Sequence, residues 1–452
     1  MRRTMLSVGV ALLGASVVLA ADKPATCSQT SKCPKETPLL LPLSNIHPAE
    51  YGQCGVGAYC LGGCDPRSSF SLDACVPSPV CIDRDMKMGS TDKVVDVQDY
   101  LGDASKSEWV AQGTPLSSDD GLLLTMPPRT AGTVLSSTGY LWYGNVKARM
   151  KTSRGRGVVT GFIFMSDVKD EIDFEWVGAD LEVTQTNYYF QGIPDYTHAG
   201  NITGTQNTFE NWHDYEIRWT PDDITWLVDG KVGRVQKKSD TWNKTSNQWD
   251  FPQTPSRVQF SLWPGGADTN AKGTVDWAGG AIDWNSEDIK NYGYDFATVA
   301  SVKIECYKTK SAPGTNSGKS YTIEDYKGLN TSVSNGDKPT VLKSLLGTGL
   351  DMDKDYAKSS TTQTMEVIPG LSGGGPGTNG QAAAHPEGNG GSGTDGNGPT
   401  PVGVAPKCTQ KGFAQDCDNP TGGNANEGYK QERALGASAF AALIAVAGML
   451  WL

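Results

Sequence analysis

Asp170-Glu171-Ile172-Asp173-Phe174-Glu175-Trp176 is the stretch on which the reading of this chain turns. On an extended strand successive side chains point to opposite faces, so Glu171, Asp173 and Glu175 share one face and Ile172, Phe174 and Trp176 the other. The apolar face packs into a core, and the acidic face must meet water or a cleft. Like charges on one strand face repel, and Asp and Glu are poor strand formers. Three acids in register cost stability, which points to a catalytic strand rather than a solvated surface. Residues i and i+4 have Cα atoms roughly 13 Å apart. Side chains leaning together bring the outer carboxyls to about 5 to 6 Å, the range for direct attack on carbon, whereas about 6.5 to 9.5 Å is needed to admit a water. Spacing alone does not say which Glu attacks. Asp173 lies where it can hydrogen-bond the nucleophile and hold the neighbouring pKa values apart.

Around this stretch, short runs rich in Val, Ile, Tyr, Phe and Trp alternate with turn residues: 139–150, 158–165, 171–177, 187–190, 215–219, 224–228 and 258–263. Many closely spaced strands predict an all-β sandwich. Asp229-Gly230 reads as a hairpin turn after the 224–228 strand. On 258–263, Gln259, Ser261 and Trp263 share a face opposite Val258, Phe260 and Leu262. Trp263 can stack on a sugar ring and Gln259 can bond its polar substituents. Trp212, Trp219, Trp226 and Trp277 read as core residues.

Among 452 residues there are 12 Trp but only four His, and the net charge is −11. The acidic balance excludes a nucleic-acid partner, which needs a basic footprint, and the scarcity of His argues against a metal cluster. No cofactor, metal or protein partner is implied. Many Trp and carboxylates suit a neutral, hydroxyl-rich polymer.

Both termini read as addresses. Residues 1–20 carry the charged start, apolar run and small-residue end of a secretory signal. At the other end, small residues around Gly423, a polar spacer and the apolar tail 434–452 form a glycosylphosphatidylinositol-anchor signal, with 424–452 removed. Secretion makes Asn201, Asn243 and Asn330 glycan acceptors and predicts that most of the ten cysteines are oxidised. Seven of them crowd into 27–81, leaving one over, with Cys306 as the distant candidate partner. The expected organisation is a Cys-rich module (22–81), a catalytic β-sandwich (82–310), a Ser/Thr/Gly-rich linker and disordered stalk (311–423), and the propeptide. Deleting 22–81 is expected to spare turnover of soluble oligomers.

The acid strand after Gly161-Phe-Ile-Phe-Met-Ser166 resembles the active-site strand of glycoside hydrolase family 16. With Gln259-Phe-Ser-Leu-Trp-Pro-Gly-Gly266 and Val275-Asp-Trp-Ala-Gly-Gly280, the region 90–310 is similar to the fungal Crh group of cell-wall transglycosylases. The resemblance implies a jelly-roll β-sandwich with Glu171 as nucleophile and Glu175 as acid/base. It places Gln259, Trp263 and Thr274, together with Glu175, against the donor substrate. It also implies transfer of chitin onto β-1,3/β-1,6-glucan. The carboxyl spacing is what makes that transfer retaining, and the two termini are what make the enzyme secreted, membrane-anchored or wall-bound. Hydrolysis by the same residues, or a non-catalytic wall lectin, are the alternatives. Tyr51-Gly-Gln-Cys-Gly-Val-Gly-Ala-Tyr-Cys60 resembles a hevein-like chitin-binding module of carbohydrate-binding family 18. Tyr51 and Tyr59 would be its stacking platforms, and Cys33 and Cys54 can pair. The adjacent cysteines usual upstream are missing here, which leaves Cys27 and Cys60 without their usual partners.

Overall fold

The computed structural model describes residues 54–356 except Pro194, together with 29, 32, 33 and the short strands His47–Pro48, Thr409–Lys411 and Ala414–Asp416. The signal 1–20, Cys27, Tyr51, residues 357–407 of the stalk, Cys408, Cys417 and Gly423 lie outside the described residues.

Two eight-stranded sheets stack face to face as a jelly-roll β-sandwich. The sheet that bears the acids consists of β1 (Val94–Asp96), β2 (Trp109–Gln112), β3 (Thr133–Leu141), β4 (Val158–Ser166), β5 (Glu171–Val177), β6 (Val183–Tyr189), β7 (Gly200–Thr203) and β8 (Ser256–Pro264). Its spatial order is β7-β6-β5-β4-β8-β3-β2-β1. The back sheet is built around Gly144–Lys151 and Asp295–Cys306. In β5 the alternation resolves as expected: Ile172, Phe174 and Trp176 are each no more than 1% exposed. Phe174 lies parallel to Phe162 of β4, and Trp176 meets Tyr215 of the back sheet edge-on at 4.5 Å between ring centres. Such aromatic pairs contribute roughly 0.5–1.5 kcal/mol each beyond the area they bury, so the apolar half of β5 holds the acid half in place.

The expected run 139–150 is two strands, not one. β3 ends at Leu141, Tyr143 turns through a positive φ of 62°, and Gly144 begins a strand of the other sheet. Asp229 and Gly230 form the predicted hairpin turn, with φ of 50° and 75°. Positive φ at both central residues matches the right-handed twist of the flanking strands.

The boundaries placed at 81/82 and 310/311 do not divide the packing. Leu61 and Val76 share a buried cluster with Tyr100, Val110 and Leu342. Ser78–Pro79 pairs with Ser320–Ile323, and Tyr321 is buried in the main core against Trp142. Disulfides join Cys33 to Cys54, Cys64 to Cys75, and Cys81 to Cys306 across 225 residues. Cys60 is buried and unbonded among the described residues. Residues 54–356 thus fold as one body because the Cys-rich segment completes a hydrophobic cluster that it cannot form alone.

Candidate active site

β5 sits between β4 and β6, both antiparallel to it, so its outward residues lie in rows across the sheet. Glu175 is in register with Gly161 and Gln185, Asp173 with Ile163 and Asn187, and Glu171 with Met165 and Tyr189. One strand further, β8 contributes Ser261, Gln259 and Arg257 to those rows, and Trp263 to the next. The structure therefore brings Glu171, Asp173, Glu175, Gln259 and Trp263 onto one face.

The acids differ in environment. Asp173 is 1% exposed, while Glu171 and Glu175 are half-buried. Burial raises the Asp173 carboxyl from 3.8 to about 7, opposed by the Arg234 charge and by the amide N–H of Asn187. Glu175 is raised well above the ordinary range, first by burial, then by the charges of Asp173 and Glu171. Like charges held together out of water cannot all ionise, so one proton stays in the cluster near neutral pH. A Glu kept protonated beside other carboxylates has the property a general acid needs. Burial and the three acids also push the Tyr189 hydroxyl upward, which leaves it a protonated donor beside Glu171.

The strand is fixed at its Asp170 end and from behind. Asp170, fully buried, accepts hydrogen bonds from Gln191 N, Gln253 N, Thr254 N and Thr254 Oγ1 at 2.7–3.1 Å. Trp226 Nε1 donates to the Asp173 carbonyl at 2.9 Å. Arg234, from an edge strand of the back sheet, lies over the Trp226 ring and donates to Thr186 O and His198 O. Nothing in the local sequence of Arg234 distinguishes it from a surface cation, because its hydrogen-bond partners are 36 or more residues away.

Several polar atoms on this face have no partner among the described residues: Asp173 Oδ1, Ser261 Oγ and Trp263 Nε1, all buried. Native proteins rarely leave such groups unpaired unless a ligand, ion or water meets them. Gly161 matters between Glu175 and Ser261, since a Cβ there would come within 2.6 Å of Ser261 Oγ. Among the described residues, no group of three or more His, Cys, Asp or Glu is placed to hold a metal ion.

Beyond Trp263 stands a short helix, α1 (Lys272–Trp277). Trp277 is not a core residue: it is 36% exposed, stacks on Trp263 at 6.0 Å and donates from Nε1 to Gln185 Oε1 at 2.8 Å. Thr274 lies on the same helix, half-buried. Trp212 also lies outside the core, half-buried under Arg149 and Lys151, whereas Trp219 and Trp226 are buried as expected. Tyr59, expected as a stacking platform, is 1% exposed and unavailable to a ligand. Of the sequons, Asn201 is exposed on β7 in register with Gln185. Asn243 bonds Asp250, and Asn330 opens a 3₁₀ turn.

A jelly-roll with a Glu-x-Asp-x-Glu strand facing away from its core defines the class: a glycosidase-fold enzyme. The sequence profile of the glycosyl hydrolases family 16 matches residues 103–279. Crh-like protein 3 of Botryotinia fuckeliana is 56% identical over 351 residues, covering 78% of this chain and 75% of that one. Crh-like protein 2 of Aspergillus fumigatus is 49% identical over 391 residues, covering 86% and 84%. A solved structure described as "Crh5 transglycosylase in complex with NAG" is 28% identical, covers 60% of this chain and 99% of that one, and has a TM-score of 0.48. The chain belongs to the Crh-like proteins of glycosyl hydrolases family 16.

Proposed function

We propose that this protein is a retaining transglycosylase that cleaves chitin and joins it to β-glucan. Glu171 attacks the anomeric carbon while Glu175 protonates the departing sugar. Glu175 then takes the proton of the acceptor hydroxyl that displaces Glu171. Asp173, buried between them, tunes both. The observation that carries the reading is the shared face of the three acids, with Glu175 held protonated by burial and by its two neighbours. A covalent glycosyl-enzyme accepts a positioned sugar hydroxyl as well as water, and an inverting mechanism has no such intermediate. Trp263 and Trp277 offer apolar ring faces to a sugar, and Gln259, Ser261 and Thr274 offer polar groups. The choice of chitin as donor and β-1,3/β-1,6-glucan as acceptor rests on the sequence resemblance. The placement of the enzyme outside the cell, lipid-anchored through Gly423 at the membrane or in the wall, rests on the signal and anchor patterns of the two termini.

The test incubates the protein with chitin oligomers and labelled laminari-oligosaccharide. Labelled hybrid product is expected. New reducing ends without hybrid product would instead make the enzyme a hydrolase, and binding with neither product would make it a lectin.

A further inference from the structure

The row of acids is walled at its Glu175 end by Trp263 and Trp277. At the Glu171 end the wall comes from the Cys-rich segment. Gly62 lies against the Arg257 guanidinium so closely that a Cβ would come within 2.5 Å of it. The next residue, Gly63, donates its N–H to Asp167 Oδ1 at 2.8 Å, and Ser78 Oγ donates to Asp167 Oδ2 at 3.1 Å. Tyr140 adds its hydroxyl to Asp167 Oδ1 at 2.8 Å. Asp167 belongs to the four-residue connection between β4 and β5, immediately before Glu171. Arg67, 2% exposed, donates from Nη2 to Val168 O at 2.6 Å and from Nη1 to Gln191 Oε1 at 2.7 Å. Its Nε and backbone N–H donate to Asp65 Oδ1, which fixes its direction. Gln191 N in turn donates to Asp170 Oδ1 at 3.1 Å. The Cys64–Cys75 disulfide closes the loop that carries Asp65 and Arg67. A surface binding module would need none of these bonds, since they spend its buried polar groups on the approach to the catalytic strand.

We infer that residues 61–78, closed by Cys64–Cys75, are a clamp that positions Glu171 for attack, with Arg67 and Asp167 as its positioning residues. The inference rests on Glu171 being the nucleophile. A displacement of about 1 Å at a reacting group can cost roughly 100-fold in rate, so a loop anchored at Asp167 and Val168, and through Gln191 at Asp170, has the leverage required.

The experiment uses the full chain and three variants. Asp65→Asn/Arg67→Met removes both charges together, so neither is left buried alone. Cys64→Ser/Cys75→Ser opens the loop, and Arg67→Lys keeps the charge but loses the fork. The substrate is a short aryl chito-oligoside whose leaving group needs no proton, so the first-turnover burst reports attack by Glu171 alone. The burst rate should fall at least 10-fold in the two double variants and less in Arg67→Lys. KM should stay within about 3-fold, and the melting transition should remain cooperative. An unchanged burst in a folded variant, a defect confined to insoluble chitin, or a loss that merely tracks the folded fraction in all three would overturn the clamp. Glu171→Gln run alongside separates the two claims. If it stays active, the nucleophile assignment fails and the clamp with it. If it is inactive while the clamp variants burst normally, the clamp alone fails.

Discussion

Replacing Asp173 by Asn should stabilise the protein while damaging its chemistry, and the size of both effects follows from the burial of that side chain. Asp173 is 1% exposed, its Oδ1 is unpartnered among the described residues, and its carboxyl is raised from 3.8 to about 7. At 1.36 kcal/mol per unit, that rise corresponds to at most about 4 kcal/mol of folding free energy. The sign follows from linkage. A carboxyl whose folded pKa exceeds its unfolded one is uncharged in both states below about pH 3.8, where it costs nothing. The cost grows as pH rises from there and is complete above about pH 7. Asn keeps an oxygen to accept from the Asn187 N–H and replaces the charge with a neutral amide of the same shape. By calorimetry, Asp173→Asn and wild type should melt together near pH 3.5, and the variant should melt up to about 8 °C higher at pH 8, at about 2 °C per kcal/mol. Turnover should fall by about 100-fold as the proton balance of the cluster is lost. A variant less stable than wild type at pH 8, or a gap that does not close toward pH 3.5, would refute the account of Asp173 as a buried, charge-strained group.

Glu171→Gln should lose at least about 1000-fold in turnover and yield no covalent intermediate in mass spectra of enzyme quenched with donor; substantial residual activity would remove it as nucleophile. Glu175→Gln should be crippled on natural oligomers, with azide rescue giving a β-glycosyl azide, and a variant that azide does not rescue would count against the acid/base role. In wild type, kcat/KM should fall as pH rises through the raised pKa of Glu175, because its proton is then lost; this limb should be missing from Glu175→Gln on an aryl donor. Trp277→Ala should raise KM roughly tenfold, about 1.4 kcal/mol of stacking, with kcat changed less; an unaltered KM would leave the ring as a prop for Trp263.

The acid-bearing strand was legible because its evidence is local. Seven residues contain both the period of two and the chemistry, and the strand runs from Glu171 to Val177 as read. Gln259 and Trp263 were legible for the same reason, being alternate residues on one strand. Their neighbours were not. Gln185, Asn187 and Tyr189 join the site only through the register of β6 on β5, which no single segment encodes. Trp277 read as core, since an aromatic residue between Asp276 and Ala278 has no local mark that separates an exposed ring from a buried one. Arg234, Arg67 and Asp167 act across about 40 to 120 residues of chain. Their partners exist only after the sheets have paired.

The Cys-rich segment is the clearest case of a local pattern misleading about the whole. Its cysteine density reads as a small independent domain, because short chains normally need disulfides to replace a missing core. Here one of those bonds, Cys81–Cys306, leaves the segment and closes a loop of 225 residues, which by chain entropy stabilises the whole sandwich by about 5 kcal/mol. Cys60, Leu61 and Val76 complete a cluster whose other buried members are Tyr100, Val110 and Leu342. Arg67 and Asp65, a buried ion pair, would be costly in a module of its own and become tolerable because the pair also satisfies Val168 O and Gln191. Disulfides, apolar surface and charge thus all point inward from this segment toward the acid strand. A truncation at residue 81 would therefore expose that cluster, break the long-range bond and strip the 167–170 connection of three donors at once, from Gly63, Arg67 and Ser78.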